Sequence, residues 1–162
     1  YMFRFWYRFV PENYSMIVRG GAELVYRRIE PNLPDYLGKV FEEICRQYLW
    51  KLLLDGEAPI DFHDLGRWWG TDPGTHSKTE IDIMGTSDKN TALFAECKWT
   101  NEKVDTSVLK TLAKRSQLFH YEQIQLILFA KKGFTRGCIG TADEMGNVML
   151  VTYDDIMKKM EV

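Results

Sequence analysis

Cysteine is scarce and unpaired in this chain: Cys45, Cys97 and Cys138 are the only three, and no two stand in a CxxC spacing. That excludes a disulfide framework and a structural zinc site, and it points to a reducing cytoplasm. Histidine is equally sparse, with His63, His76 and His120 in no ligand spacing. No apolar run approaches the roughly 20 residues that a membrane helix needs. The N-terminus also lacks the charged, apolar and small-residue regions of a signal peptide, so no membrane association is expected. Charge of one sign is not in excess: 21 Lys and Arg against 23 Asp and Glu leave a formal net charge of −2. A free-standing, non-specific DNA binder is usually basic, so the balance argues against tight unaided binding while leaving room for a local basic patch. Repeats and low-complexity tracts are missing too. What the chain does hold is apolar surface: 45% of its 162 residues are hydrophobic and 14% aromatic, enough for one core with a small appendage.

A start at Tyr1, inside a dense aromatic run, is expected of a piece cut from a longer chain. Phe3, Phe5, Trp6, Phe9 and Val10 come too densely for a clean solvent face, and interleaved with arginines they read as packing rather than as a base-stacking platform. Pro11 ends that element. Ser15–Arg28 is expected as a short helix weakened by Gly20 and Gly21. The spacing then predicts a firm helix over Pro34–Leu54, with Leu37, Phe41, Ile44, Cys45, Tyr48 and Leu52 forming one stripe. On that helix Glu42 lies about 100° from Phe41, on the flank of the stripe, whereas Glu43, about 200° away, is expected to face water.

Strand patterns follow over Leu65–Trp69, Thr79–Gly85 and Ala92–Trp99. The turn formers Ser87-Asp88-Lys89-Asn90 make the last two a hairpin. Asp105–Tyr121 reads as a helix capped by Asp105 or Thr106. Ile124–Ala130 is the kind of apolar run that helices bury on both faces. Asn147–Val151 reads as a strand and Tyr153–Met160 as a closing helix. A strand pair joined through a helix is parallel, so the fold expected is an α/β sandwich with a mixed central β-sheet flanked by helices.

Side chains alternate along a strand, so Glu96 and Lys98 share one face while Cys97 points the other way. On the partner strand Glu80 and Asp82 are expected on one face, with Ile81 and Ile83 on the other. Facing side chains in a hairpin approach to about 5 Å, so Asp82 and Glu96 can converge on one cation with Lys98 beside them. By spacing alone, a salt-bridge cluster on a solvated sheet face fits the same residues equally well.

Three motifs in order, Gly38-x-x-Phe41-Glu42, Glu80-Ile81-Asp82 and Glu96-Cys97-Lys98-Trp99, resemble the PD-(D/E)xK superfamily, which includes restriction endonucleases and archaeal Holliday-junction resolvases. Its usual Pro-Asp is absent, because Ile81 precedes Asp82. With Arg4-Phe5-Trp6-Tyr7-Arg8-Phe9-Val10 and Gly66-Arg67-Trp68-Trp69 added, the pattern resembles the DUF234 domain, the C-terminal part of archaeal and bacterial DEXX-box ATPases. The resemblance implies a restriction-endonuclease-like three-layer sandwich over residues 34–162. Residues 1–33 would be an aromatic helical lead-in to a missing N-terminal ATPase region.

It further implies that Asp82, Glu96, Glu42 and the backbone carbonyl of Cys97 hold Mg²⁺ or Mn²⁺, with Lys98 orienting or helping to deprotonate a water and stabilising developing charge. Glu42, Asp82, Glu96 and Lys98 are thus the expected catalytic set for phosphodiester hydrolysis in DNA, with RNA cleavage fitting equally well. A silent docking or regulatory module of the ATPase is the alternative. Arg67 and, on the following helix, Lys110, Lys114 and Arg115 are candidates for phosphate contact. For Arg67 a surface arginine covering a tryptophan is an equal reading, and for the lysines a solvated helix face is the simpler one.

Overall fold

The computed structural model describes residues 2–161, so the Tyr1 start lies outside the described residues. The chain forms two compact units, Tyr1–Val40 and Phe41–Val162.

The first unit holds the short helices α1 (Met2–Phe9), α2 (Tyr14–Ile17) and α3 (Ala22–Ile29), and the start of α4 (Leu33–Leu54). Pro11 opens a 3₁₀ turn directly after α1, where its missing N–H costs nothing. The single helix expected over Ser15–Arg28 is instead two. Gly20 breaks it at φ 80, a left-handed conformation that glycine adopts freely. Phe5, Phe9 and Tyr36 pack edge to face or tilted, with ring centroids 5.1, 5.6 and 5.8 Å apart, so these aromatics pack as expected. Met2, Phe3, Trp6 and Tyr7 of the same run remain exposed, so Phe3 and Trp6 do not pack as expected.

The second unit is built on a five-stranded sheet in the order β1 (Asp64–Thr71), β2 (Lys78–Thr86), β3 (Thr91–Lys98), β4 (Gln123–Ala130) and β5 (Val148–Thr152). The first three strands run antiparallel, and β3–β4 and β4–β5 are parallel. Asp88 closes the β2–β3 turn by accepting from the backbone N–H groups of Asn90 and Thr91 at 2.7 and 2.8 Å. The parallel pairs are bridged by α5 (Thr106–Ser116) and α6 (Arg136–Met145), and α7 (Tyr153–Met160) closes the chain. Asp105 caps α5 through Ser107 N–H at 2.8 Å, as its position predicted.

Helix α6 was not foreseen. Gly137 and Gly140 interrupt its apolar pattern, yet Thr135 caps it by accepting from Cys138 N–H, and Gly146 at φ 72 ends it in the left-handed region.

The three-layer sandwich is therefore present. Phe41, Cys45, Tyr48 and Leu49 of α4, with Ile156 of α7, pack on one face against Ile83, Leu93, Ala95, Ile127 and Phe129. Leu109 and Leu112 of α5, with Cys138 and Ala142 of α6, pack on the other against Ile81, Phe94, Leu126 and Leu128. β4 contributes to both cores, as an apolar strand between helix layers should.

Candidate active site where β2 and β3 part

The alternation assumed for β2 does not hold. Gly66 pairs with Met84 and Trp68 with Ile81, so one residue of β1, Arg67, lies opposite two of β2, Asp82 and Ile83. That is a β-bulge, and it shifts the phase of the strand. Ile83 enters the α4-side core while Ile81 enters the α5-side core, so these two residues lie on opposite faces and not together as expected. Past the bulge β2 also leaves β3: their paired register ends at Ile83 opposite Ala95. The Asp82 side chain takes over where the backbone pairing stops, its Oδ2 accepting from the Cys97 N–H at 2.8 Å.

Asp82 and Glu96 are each only 7% exposed at this parting. Burial pushes the Asp82 carboxyl up to about 6, and the charges of Glu96 and Glu42 add to that against the Cys97 hydrogen bond and the Lys98 ammonium. Glu96 is held from two sides: Lys98 Nζ donates to Oε1 at 2.6 Å, and a guanidinium nitrogen of Arg115 on α5 donates to Oε2 at 3.0 Å. Burial works against the charge on Lys98, yet the hydrogen bond and charge of Glu96, with Asp82 behind it, hold the ammonium above the ordinary lysine value.

Glu42, half-buried on α4, is near enough for its charge to act on Asp82, Cys97 and Arg67. Glu43 does not face water as its angle suggested. It is half-buried and paired with Arg46, one turn along the helix. Arg67 donates to Glu80 Oε2 at 2.7 Å, so Glu80 serves as the partner of Arg67.

Asp82, Glu96 and Lys98 thus lie at one parting of the strands, and the charge of Glu42 reaches Asp82 from α4. Lys114 lines a cleft of about 260 Å³ that also includes Lys78 and Arg115, whereas Lys110 is exposed on α5 and lines neither this cleft nor the one beside it. The Arg115 contact to Glu96 was not anticipated. Its signal lay in helical spacing: Arg115 follows buried Leu112 by three residues, which puts it on the flank of the core stripe, while Lys110 and Lys114 lie farther round.

Among the described residues no group of three or more His, Cys, Asp or Glu side chains is gathered closely enough to hold a metal ion. The chemistry of the donors nevertheless fits a hard divalent cation. Two sheltered carboxylates, one of which raises the proton affinity of the other, are an unfavourable arrangement that a cation offsets.

The family model described as archaeal and bacterial proteins of unknown function, DUF234, matches residues 6–111. The chain belongs to the DUF234 family. The match includes Glu42, Arg67, Asp82, Glu96 and Lys98 and stops before Lys114 and Arg115. A relative of similar sequence is an uncharacterized protein of Methanocaldococcus jannaschii, MJECL04, 33% identical over 100 residues; the match takes in 61% of this chain and only 21% of that protein.

Among solved structures the chain is similar to AF1548, a protein of unknown function, with a TM-score of 0.47 at 15% identity over 73% of this chain and 67% of that one. It is also similar to a repair endonuclease from Pyrococcus abyssi, with a TM-score of 0.38 at 19% identity over 56% and 38% of the two chains. For the DNA modification-dependent restriction endonuclease AspBHI the TM-score is 0.42 at 20% identity over 93% and 35%. Among the described residues no helix is long and apolar enough to cross a membrane.

Proposed function

We propose that Phe41–Val162 is a divalent-metal-dependent phosphodiester hydrolase acting on DNA, part of a longer polypeptide whose other portion is an ATPase. One observation carries this reading: Asp82 and Glu96, each 7% exposed, meet at a strand parting with an ammonium 2.6 Å from Glu96. Carboxylates so sheltered destabilise the fold unless they have work to do, and strongly perturbed carboxyls gather at functional sites. That the match spans about a fifth of its curated relative supports a larger protein around this module.

Asp82, Glu96 and Glu42, with the Cys97 carbonyl, would hold Mg²⁺ or Mn²⁺, whose chemistry is to polarise the phosphate and acidify a bound water. Lys98, held as an ammonium, is a donor and not a base: it orients the attacking water and stabilises charge developing on the phosphate oxygens. Arg115 fixes the Glu96 carboxylate from the opposite side and so sets the direction in which its free lone pairs point. The Cys97 N–H does the same for Asp82.

A specific observation favours a second reading, a catalytically silent docking or regulatory module: both Glu96 oxygens are occupied by cationic donors, and among the described residues no three-ligand group is assembled. Thermal unfolding in Mn²⁺ separates the cases. A cation site stabilises by about 2.7 kcal/mol at a hundredfold excess over its dissociation constant, and that gain disappears in Asp82→Ala. Stabilisation together with Mn²⁺-dependent nicking of plasmid supports the hydrolase; stabilisation without nicking of any DNA supports the docking module. No Mn²⁺ response at all sinks the metal site.

A further inference from the structure

Adjacent tryptophans on β1 have opposite fates. Trp68 is half-buried against Phe119, ring centroids 5.0 Å apart, while Trp69 is 75% exposed and is the most exposed tryptophan of the five. A Cβ on Gly70 would stand 2.5 Å from the Trp68 ring, so the ring lies directly over that glycine. Trp69 lines a cleft of about 390 Å³ with Lys78, Thr79, Glu80 and Arg115. The neighbouring cleft of about 260 Å³ shares Lys78, Thr79 and Arg115 and adds Lys114, Asp72, Thr75, Ser77 and Thr111. The hairpin loop on its rim is held in shape by Asp72, whose carboxylate accepts from Gly74 and Thr75 N–H at 2.8 and 3.3 Å.

Arg115 connects these clefts to the parting of β2 and β3, since the same side chain donates to Glu96. Trp69 pairs in register with Glu80, two residues from Asp82, which places it about 7 Å along the strand from that carboxylate. Hydroxyls and ammonium groups suit a phosphate backbone, and an exposed indole suits the face of a base. In a paired duplex the base faces are stacked on each other and unavailable; only an unpaired strand offers one to Trp69.

We propose that this continuous groove seats an unpaired polynucleotide strand, with phosphates at Lys78, Lys114 and Arg115 and a base stacked on Trp69. The inference rests on the hydrolase reading only for the position of the scissile phosphate, one or two nucleotides from the stacked base. The substrate class is then single-stranded or frayed nucleic acid, not intact duplex.

The test is fluorescence anisotropy of labelled 15-mers in EDTA, using single-stranded DNA, single-stranded RNA and blunt duplex with the full chain. The expected result is single strands bound at least 10-fold more tightly than duplex. Trp69→Ala should lose about 5- to 150-fold, as one base stack is worth, and Trp69→Phe should recover most of it. Lys78→Ala/Lys114→Ala should flatten the salt slope by about 1.4, at 0.7 per phosphate on a single strand. A preference for RNA over DNA or the reverse identifies the strand and supports the groove in either case. Duplex bound as tightly as single strands, Trp69→Ala without effect, or no binding of any oligonucleotide overturns it.

Cleavage assayed separately with Mn²⁺ keeps the two readings apart. Binding as described with no cleavage leaves the groove and removes the hydrolase. Cleavage of intact duplex unaffected by Trp69→Ala removes the groove and leaves the hydrolase.

Discussion

The two ends of the β2–β3 ladder are built from the same strands and follow opposite rules. At the turn end, Thr86 to Ile83 pair regularly with Ala92 to Ala95, and Leu93, Phe94 and Ala95 are wholly buried. At the far end the ladder opens, and its sheltered side chains are Asp82 and Glu96 instead of hydrocarbons. One end contributes stability; the other holds charge at a cost to it. The difference shows that the open end is not a frayed version of the closed one, because Asp82 and Glu96 stay buried there and are held by hydrogen bonds of 2.6 to 3.0 Å.

The comparison sharpens first at Lys98. Lys98→Ala is expected to lower single-turnover cleavage by roughly 10²- to 10³-fold, the range for removing one donor to transition-state charge. Its Mn²⁺ affinity, read by thermal shift, should change little. Full cleavage by the variant would remove Lys98 from the mechanism.

At the closed end the loss is in folding. Phe94 is fully buried and packs against Phe119 and Tyr121 at centroid distances of 5.2 and 6.1 Å. Phe94→Ala should therefore cost about 3–5 kcal/mol in urea unfolding. A loss below about 1 kcal/mol would mean that the closed end is not a packed core.

Asp82→Asn should do the reverse. The native carboxyl is pushed up to about 6, above its unfolded value, so the native state binds the proton more tightly. Stability from this group is fully present below about pH 4 and is lost as pH rises through about 6. In EDTA at pH 7.5 the asparagine variant, which keeps an acceptor for Cys97 N–H, should be more stable than the native chain by about 2–3 kcal/mol. The gap should close towards pH 4. A variant less stable than the native chain at pH 7.5 would show that the ionised carboxylate supports the fold.

The smallest effect belongs to Arg67. Its pair with Glu80 is exposed, so Arg67→Ala should alter stability by under about 1 kcal/mol in the same unfolding assay. A larger loss would make Arg67 part of the sheltered set.

Much of this contrast was legible in the residues themselves. The α4 stripe from Phe41 to Leu52, the β2–β3 turn and the apolar run of β4 follow local periodicity, and local periodicity survives folding when one face is buried. The shared face of Glu96 and Lys98 followed from two-residue alternation, whereas Asp82 reaches them through a bulge that alternation does not give. What escaped depends on other kinds of information. The bulge opposite Arg67 is a mismatch in count between two strands, and neither strand carries it alone. Helix α6 rests on its caps, Thr135 and Gly146, more than on an apolar stripe. Helical spacing puts Arg115 on the flank of the α5 stripe, but that its partner there is Glu96, 19 residues back, is set by how the crossover helix docks.

The bulge has one more implication. Opposite Arg67 a regular strand has a single position to fill, and that position points towards α4. It would go either to a hydrocarbon that completes the core or to a carboxylate that faces the opening. The extra residue removes that choice, because Ile83 takes the core place and Asp82 is turned into the gap. Shortening β2 by one residue would force a trade between a sound interior and a charged mouth, and the present spacing lets the domain keep both.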